Sequence, residues 1–158
     1  MTSKSRGAAR NKINRTGWPA GPWDTEPDRV EWRDEVTKLP CLIIRNHFGG
    51  LCGYVGVPPG HLWHGKDCDD VPAKVHGGLT YASKCAGHIC HVPLPGEPDN
   101  VWWLGFDCVH SDDLVPGMLH YQVHDEQYPL LLHDGQYRDM TYVRREVTDL
   151  ARQIHEAR

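Results

Sequence analysis

Five short apolar segments, separated by turn-forming residues, constrain the fold of this chain more than any other feature. Each segment is rich in Val, Ile, Leu, Trp or Tyr and is too short for a buried helix, which indicates strands. The segments are CLIIRN (41–46), LCGYVGV (51–57), AKVHGGL (73–79), HICHV (88–92) and VWWLGFD (101–107). HFGG between the first two has the length of a β-hairpin loop, so antiparallel pairing is predicted there.

One helix is predicted before these strands in the sequence and one after them. Thr25 can serve as the N-cap of a first helix that has proline and acids in its first turn and ends before Pro40. Near the C-terminus, apolar residues step by three and four, which predicts an amphipathic helix over about 138–156 that packs across the sheet. These apolar residues are Met140, Val143, Val147, Leu150 and Ile154. The predicted fold class is therefore α+β: a mostly antiparallel sheet of about five strands with one N-terminal helix and a long C-terminal amphipathic helix.

Chain length and charge bear on domain organisation and partners. A chain of 158 residues predicts one domain, assigned to 18–158. Residues 1–17 hold five cationic side chains, no acid and one sizeable apolar group, Ile13, which predicts a flexible basic arm. The net charge of -4 gives the whole chain no attraction to nucleic acid. Two interpretations of the arm therefore stay open, a solvated tail and a nucleic-acid-binding arm.

Location and cysteine chemistry are linked in this sequence. There is no run of 18 apolar residues, so no membrane span is predicted, and the polar amino terminus lacks the apolar core of a secretion signal. The expected location is the cytoplasm, where the six cysteines are expected to be reduced thiols without disulfides. A structural zinc site at Cys85, His88, Cys90 and His91 is disfavoured, because adjacent strand residues point to opposite faces.

The candidate chemistry lies at two places. Asp107 ends the fifth apolar segment and His110 follows three residues later, while His76 precedes two glycines in the third segment. Paired glycines weaken a strand and usually mark a bend or a close approach to the backbone. If these segments are neighbours, His76, Asp107 and His110 form a catalytic group, and together with Asp113 they offer N and O ligands for a divalent metal ion. The alternatives are that Asp107 caps a turn and that His76 lies in a β-bulge.

Other residues could bind a ligand around such a centre. Gly77 and Gly78 would let a ligand reach main-chain N–H groups, which suits an anionic oxygen. Lys66, in the polar loop 58–70, could hold an anionic group such as phosphate. Tyr54 and Trp63 could stack on a flat group such as a base. A small-molecule ligand is therefore the expected partner.

Three segments in fixed order resemble a known family. GYVGVPPGHLWHGKDCDDV, VHGGLT and WWLGFDCVH, followed by YRDMTYV, resemble small uncharacterised proteins of bacteria and their phages that carry GYV-GHP-(Y/H)GKDYDD, HGGLT and W-x-GFD-x-x-H-x-x-D segments. Leu62 stands where that pattern has proline, and Cys68 where it has tyrosine. The resemblance implies positions and no reaction. Those positions are His61, Lys66, Asp67, His76, Gly77, Gly78, Thr80, Asp107, His110 and Asp113.

Three hypotheses about function follow. The first is a metal-assisted hydrolase that acts on a small anionic, phosphate- or nucleotide-like substrate, with a divalent ion as cofactor. The second is a non-catalytic binder that sequesters a nucleotide-like signal, as an anti-defence protein of a phage would. The third is an interaction protein that uses the basic arm. The number of imidazoles and carboxylates favours the first.

Overall fold

One antiparallel sheet and one long helix form the framework. The computed structural model describes residues 13–119 and 135–157. The strands are β1 (Arg29–Arg33), β2 (Pro40–Arg45), β3 (Leu51–Val57), β4 (Tyr81–Lys84) and β5 (Trp102–Asp107). Their order in the sheet is β1-β2-β3-β5-β4, and every neighbouring pair is antiparallel. Helix α1 (Met140–Glu156) follows, and short 3-10 turns occur at Pro22–Asp24 and Cys68–Asp70.

The main core lies between one face of the sheet and α1. Alternate residues of β2, β3 and β5, including Ile43, Val55 and Phe106, are buried there against the apolar stripe of the helix. Gly53 permits the helix to approach β3, since a Cβ at that position would lie 2.5 Å from a methyl group of Val147. The helix therefore crosses the sheet on this face, and its N-terminal turns reach the end of β5 at which Asp107 lies.

A second, smaller core occupies the opposite face. Leu42, Tyr54 and Trp103 are buried there, with Ile89 packed against them. The segment between β4 and β5 covers this face. Arg29 of β1 donates hydrogen bonds to two carbonyl oxygens of that segment and so holds it against the first strand. This face of the sheet is therefore closed by irregular chain instead of by a helix.

The predicted N-terminal helix is wrong. Residues 29–33 form β1, an edge strand in which Val30 pairs with Ile43 and Trp32 with Cys41. Val30 and Trp32 are two residues apart and both pack against the main core, which is the period of a strand. Val36, which would have extended the helical stripe, is 83 % exposed. Pairing with β2 thus outweighed the capping signals at Thr25.

Two of the five predicted strands are also wrong. The segments 41–46, 51–57 and 101–107 coincide with β2, β3 and β5, but 73–79 and 88–92 are irregular, and β4 lies between them. Lys74 exchanges two backbone hydrogen bonds with the side chain of Gln153, and the N–H of His76 donates to Glu146. Side chains of α1 therefore satisfy the backbone groups that a neighbouring strand would otherwise have satisfied.

The expectation that all cysteines are reduced is wrong for one pair. Cys85 and Cys90 form a disulfide with Cα atoms 4.8 Å apart, across a turn in which Ala86 and Ile89 exchange backbone hydrogen bonds. The other four cysteines are free. Burial is the main cause that raises the pKa of Cys41 and of Cys52 to about 12, so these two thiols stay protonated and poorly reactive at neutral pH.

Most of the predicted basic arm lies outside the described residues, but its last part packs on the domain. The guanidinium of Arg15 donates to the carbonyl oxygen of Trp23 at 3.1 Å, pairs with Asp28, and lies 5.2 Å from the ring centroid of Trp18. Arg15 therefore contacts the domain, and the predicted boundary at residue 17 stays a prediction.

No helix in the two described ranges is long and apolar enough to cross a membrane. The cytoplasmic location stays a prediction from the sequence. The disulfide is a feature more typical of oxidising compartments, so the redox state of Cys85 and Cys90 in the cell bears directly on that prediction.

Candidate functional site

His76, His110 and Asp113 meet at the end of β5. One side-chain donor or acceptor atom of each lies within 4.8 Å of the others. Nε2 of His76 lies 2.9 Å from both carboxylate oxygens of Asp113, and Nδ1 of His110 lies 3.1 Å from Oδ2. The side chain of Asp113 is completely buried, so the carboxylate stands at the centre of the cluster.

Asp113 is an ionised carboxylate that holds the cluster together. Besides the two imidazoles, it accepts hydrogen bonds from the backbone N–H of His110 at 3.0 Å and from Nε of Arg138 at 3.0 Å. Burial alone would raise the pKa of Asp113, but the hydrogen bonds from His76, from the His110 backbone and from Arg138 outweigh it and hold the pKa below the ordinary value. The four donors therefore face a negative charge at neutral pH.

The hydrogen bonds determine which ring nitrogens carry protons. An ionised carboxylate only accepts, so Nε2 of His76 and Nδ1 of His110 are the protonated nitrogens. In neutral His76 the other nitrogen, Nδ1, accepts from the hydroxyl of Tyr142 at 2.8 Å. In neutral His110 the remaining Nε2 carries a lone pair and lies 3.7 Å from Oδ1 of Asp107, which is too long for a hydrogen bond.

His110 and Asp107 form the solvent-facing edge of the cluster. Their side chains are 31 % and 33 % exposed, whereas that of His76 is 9 % exposed. Asp107 also accepts from the backbone N–H of Val109 at 3.2 Å and from the hydroxyl of Thr80 at 3.1 Å. The turn-capping interpretation of Asp107 is therefore correct, and the same carboxylate still faces an open imidazole nitrogen.

The glycine pair allows the backbone to lie against His110. A Cβ on Gly77 would lie 2.1 Å from Cε1 of the His110 ring, so only glycine fits. Gly77 and Gly78 have φ angles of 67° and 83°, which other residues rarely adopt. The N–H of Gly78 donates to the carbonyl oxygen of Val75 at 2.9 Å, so the pair forms a turn and not a strand.

The predicted ligand residues of loop 58–70 lie elsewhere. Nε2 of His61 is 2.7 Å from the carbonyl oxygen of Ile154, twelve residues beyond Tyr142 in α1, a separation of about 18 Å along the helix. The carbonyl oxygen of Lys66 accepts from the indole of Trp102, at the end of β5 opposite the cluster. The expected role of Lys66 in holding an anionic group at this site is therefore not supported.

The remaining predicted ligand residues are also apart from the cluster. Tyr54 is 8 % exposed in the second core, where its ring meets Tyr81 edge-on with centroids 5.4 Å apart. Trp63 is 7 % exposed in the main core and meets His61 edge-on. Neither ring offers an open face for stacking, and Asp67 is an exposed residue of the same distant loop.

Sequence reasoning missed three residues of the site, all from the start of α1 or just before it. Arg138 binds Asp113, and its guanidinium lies 5.0 Å from the ring centroid of Tyr142. Tyr142 binds His76 through its hydroxyl, and Glu146 binds the His76 backbone at 3.1 Å. The available signal was the spacing of four residues between Tyr142 and Glu146, which places these two on one side of the helix; Arg138 precedes the helix and gave no such signal.

The site carries an excess of negative charge. Among the residues that the structure describes, four carboxylates lie in or next to the cluster, and one cation, Arg138, pairs with two of them. With neutral imidazoles the net charge is four negative minus one positive, or -3. The carboxylates are Asp107, Asp112, Asp113 and Glu146. Such a surface attracts cations and repels anions unless a cation is bound.

Comparison with known proteins adds no relative: no family model, no curated protein and no solved structure matches the chain. The resemblance to small bacterial and phage proteins therefore stays a prediction from the sequence segments.

Proposed function

We propose that the protein is a metal-assisted hydrolase of small anionic, phosphate- or nucleotide-like substrates, with a divalent cation bound between His110 and Asp107. One observation carries the proposal. Nε2 of His110 faces Oδ1 of Asp107 at 3.7 Å on the exposed edge of the cluster, while Nδ1 of the same ring is fixed by the buried Asp113.

The separation of these two atoms suits a shared ion. Nitrogen and oxygen ligands lie about 2.0–2.2 Å from metals such as zinc, so two ligands of one ion are about 3–4 Å apart. A carboxylate that accepts the other N–H of a metal-binding imidazole orients the ring and makes it a better ligand. Asp113 stands in that relation to His110.

Asp113 orients the His110 ring, and His76 hydrogen-bonds Asp113, but neither residue binds the ion in this proposal. The side chain of Asp113 is completely buried and accepts from four donors, and a cation bound there would lie beside the guanidinium of Arg138. Both nitrogens of His76 have partners, Asp113 and Tyr142. The sequence predicts four metal ligands, His76, Asp107, His110 and Asp113. We propose that only the two exposed ones, Asp107 and His110, bind the ion.

A divalent cation would also reduce the net negative charge of the site. Its two positive charges would reduce the net charge of the site from -3 to -1 and would lie beside His110 and Asp107, where an anionic substrate group can bind the ion. When bound, such an ion polarises a phosphoryl or carbonyl oxygen and lowers the pKa of a water ligand. Two protein ligands leave coordination positions for water and substrate, as is usual for Mg²⁺ and Mn²⁺. The hydroxyl of Thr80 holds Asp107 in place through its other oxygen.

The test begins with metal binding. Chelator-treated protein is titrated with Mn²⁺, Zn²⁺ and Mg²⁺ by calorimetry, in parallel with Asp107→Asn and with Asp99→Asn, an exposed aspartate outside the cluster. We expect Asp107→Asn to weaken binding at least tenfold and Asp99→Asn to leave it unchanged. Equal affinities for wild type and Asp107→Asn would show that the ion does not bind here.

Turnover is tested on the metal-loaded protein. A nucleotide panel and bis-p-nitrophenyl phosphate are incubated with wild type and with Asp107→Asn, and products are separated by chromatography. Metal-dependent products that the variant does not form support the hydrolase. Recovery of an intact bound nucleotide would instead support the non-catalytic binder, although the burial of Tyr54 and Trp63 removes the stacking contacts expected for it.

A further inference from the structure

Residues 85–101, between β4 and β5, form an irregular strap over the second face of the sheet. The structure describes all of these residues, and none of them belongs to a strand or a helix. The strap begins at one edge of the sheet, directly after β4, and is bound to β1, the strand at the other edge. Arg29 of β1 donates to the carbonyl oxygens of His88 and Cys90. Side-chain hydrogen bonds, instead of backbone pairing, therefore hold the strap to β1.

The strap packs incompletely on the sheet beneath it. A cavity of about 110 Å³ is lined by His91 and Glu97 of the strap and by Pro40 and Gly56 of β2 and β3. The ring of His91 meets the indole of Trp103 edge-on, with centroids 5.2 Å apart. Yet Nε2 of His91 and Nε1 of Trp103 are buried without a hydrogen-bond partner among the described residues. Cavities and unpaired buried polar groups both weaken a contact, so the closed strap is a weakly held part of the fold.

One covalent bond fixes the start of the strap. Cys85 and Cys90 are both half-buried, and the turn that their disulfide closes has an exposed tip at residues 86–88. The three buried cysteines of the chain are free. Exposed disulfides are the ones that thiols reduce most readily. The two carbonyl oxygens that Arg29 binds belong to the same turn, so the bond also fixes the geometry of the hydrogen bonds to β1.

We propose that the Cys85–Cys90 bond is a redox switch that controls whether the strap stays closed over the second face. In the oxidised protein the bond holds the turn in the conformation that Arg29 recognises. In the reduced protein the turn gains conformational freedom, and the weakly packed strap opens and lets water reach Trp103. The switch lies on the second face of the sheet and does not depend on the function proposed for the His110 cluster.

The reaction is thiol–disulfide exchange with a low-molecular-weight thiol such as glutathione. A thiolate attacks one sulfur of the Cys85–Cys90 pair, and the other sulfur leaves as a thiolate and takes up a proton. A second small thiolate then attacks the sulfur of the first one in the mixed disulfide, which releases the second protein thiolate. Two small thiols are thus oxidised to one disulfide, and the protein disulfide is reduced to two thiols. The reverse reaction closes the strap again.

Hydrogen exchange of the Trp103 indole N–H measures opening of the strap, because burial and not a hydrogen bond protects this group. The exchange is followed in ¹H–¹⁵N spectra of labelled protein before and after reduction with dithiothreitol. The matched control is the indole of Trp23, which is also buried but donates to the carbonyl oxygen of Pro19 at 3.0 Å. Trp103→Phe and Trp23→Phe assign the two signals. The amide of Val55 in β3, a strand paired on both sides, reports global unfolding.

Reduction should act on Trp103 more than on the rest of the fold. We expect its exchange rate to rise by roughly tenfold or more beyond any rise for Val55, because a disulfide favours the closed form of its loop by about that factor or more. The Trp23 indole should accelerate no more than Val55. Oxidised glutathione should restore the slow exchange of Trp103.

Two variants separate the bond from other effects of the reductant. In Cys85→Ser/Cys90→Ser we expect fast exchange of the Trp103 indole with and without dithiothreitol. Cys68→Ser removes a free, half-buried thiol elsewhere and should respond to dithiothreitol like wild type. Circular dichroism verifies that both variants are folded.

Four results would overturn the proposal. The first is an acceleration of Trp103 that does not exceed that of Val55. The second is a bond that stays oxidised in a glutathione mixture of roughly cytosolic poise. The third is slow Trp103 exchange in the folded double variant, or an acceleration by dithiothreitol that persists in it. The fourth is loss of the folded state on reduction of wild type, which would show that the bond is structural and not a switch.

Discussion

Replacement of Asp113 by asparagine tests the central claim about the cluster, that one buried carboxylate holds four donors. The donors are two imidazole N–H groups, a backbone N–H and the guanidinium of Arg138, at 2.9–3.1 Å. Asparagine keeps the shape but turns an NH₂ group towards donors and leaves Arg138 without its buried partner. Loss of one partner of a buried pair costs about 3–5 kcal/mol. We expect that loss in the free energy of unfolding.

The assay is urea denaturation followed by tryptophan fluorescence, with thermal unfolding beside it. For a chain of this size the melting temperature falls by about 2–4 °C per kcal/mol, so a decrease of roughly 6–20 °C is expected. Asp112→Asn is the matched control, because the neighbouring Asp112 side chain is 73 % exposed and lies 3.8 Å from the same arginine. Its effect should stay within about 0.5 kcal/mol. A loss below about 1 kcal/mol for Asp113→Asn would refute the reasoning.

The same comparison has a defined pH dependence. The pKa of Asp113 is lowered in the folded state, so its contribution is complete above the unfolded-state pKa, about 4, and is lost as pH falls through the folded pKa. The stability difference between wild type and Asp113→Asn should therefore shrink as the pH falls below about 4. A difference that grows as the pH falls below about 4 would contradict the assignment of an ionised carboxylate.

Three further predictions concern the glycine pair, a buried arginine and the disulfide. Gly78→Ala should lower the free energy of unfolding by about 1–2 kcal/mol, because the φ angle is positive although the space around it is open. Gly77→Ala should cost about 1–3 kcal/mol more, because its Cβ would also meet the His110 ring. Urea denaturation measures both losses. Arg45→Met should cost about 3–5 kcal/mol in the same assay, because Arg45 is fully buried and its loss leaves carboxylates without their partner. Reduction of Cys85–Cys90 should lower the free energy of unfolding by about 2 kcal/mol, and thiol titration of denatured protein should find four free thiols before reduction and six after.

Each of these three predictions has an outcome that contradicts it. Equal losses for the two glycine variants would mean that His110 does not lie against Gly77. A near-neutral Arg45→Met would show that the arginine is not buried among its partners. Six free thiols in denatured, unreduced protein would show that Cys85 and Cys90 are not bonded, in agreement with the expectation from the sequence.

Local patterns in the sequence were sufficient to predict the three central strands of the sheet and the long helix. The strands β2, β3 and β5 follow from apolar segments of the right length, and α1 follows from an apolar stripe with helical spacing. These patterns act through burial of their own side chains, so they can be read without knowledge of neighbours. The choice of His76, His110 and Asp113 likewise came from residue types that are unusual beside apolar strands.

Tertiary contacts decided what those patterns left open. Residues 29–33 became a strand because β2 offered an edge for pairing, and 73–79 remained a loop because Gln153 and Glu146 supply its hydrogen bonds from about 70 to 80 residues away in the chain.

The exposed edge of the cluster and the donors around Asp113 were also decided at this level. The spacing of apolar residues and the types of the polar ones were enough to show which segments must be buried and which residues can carry chemistry. Only the folded structure decided which backbone and side-chain groups meet, because a hydrogen bond depends on the distance between atoms in space and not on their separation along the chain.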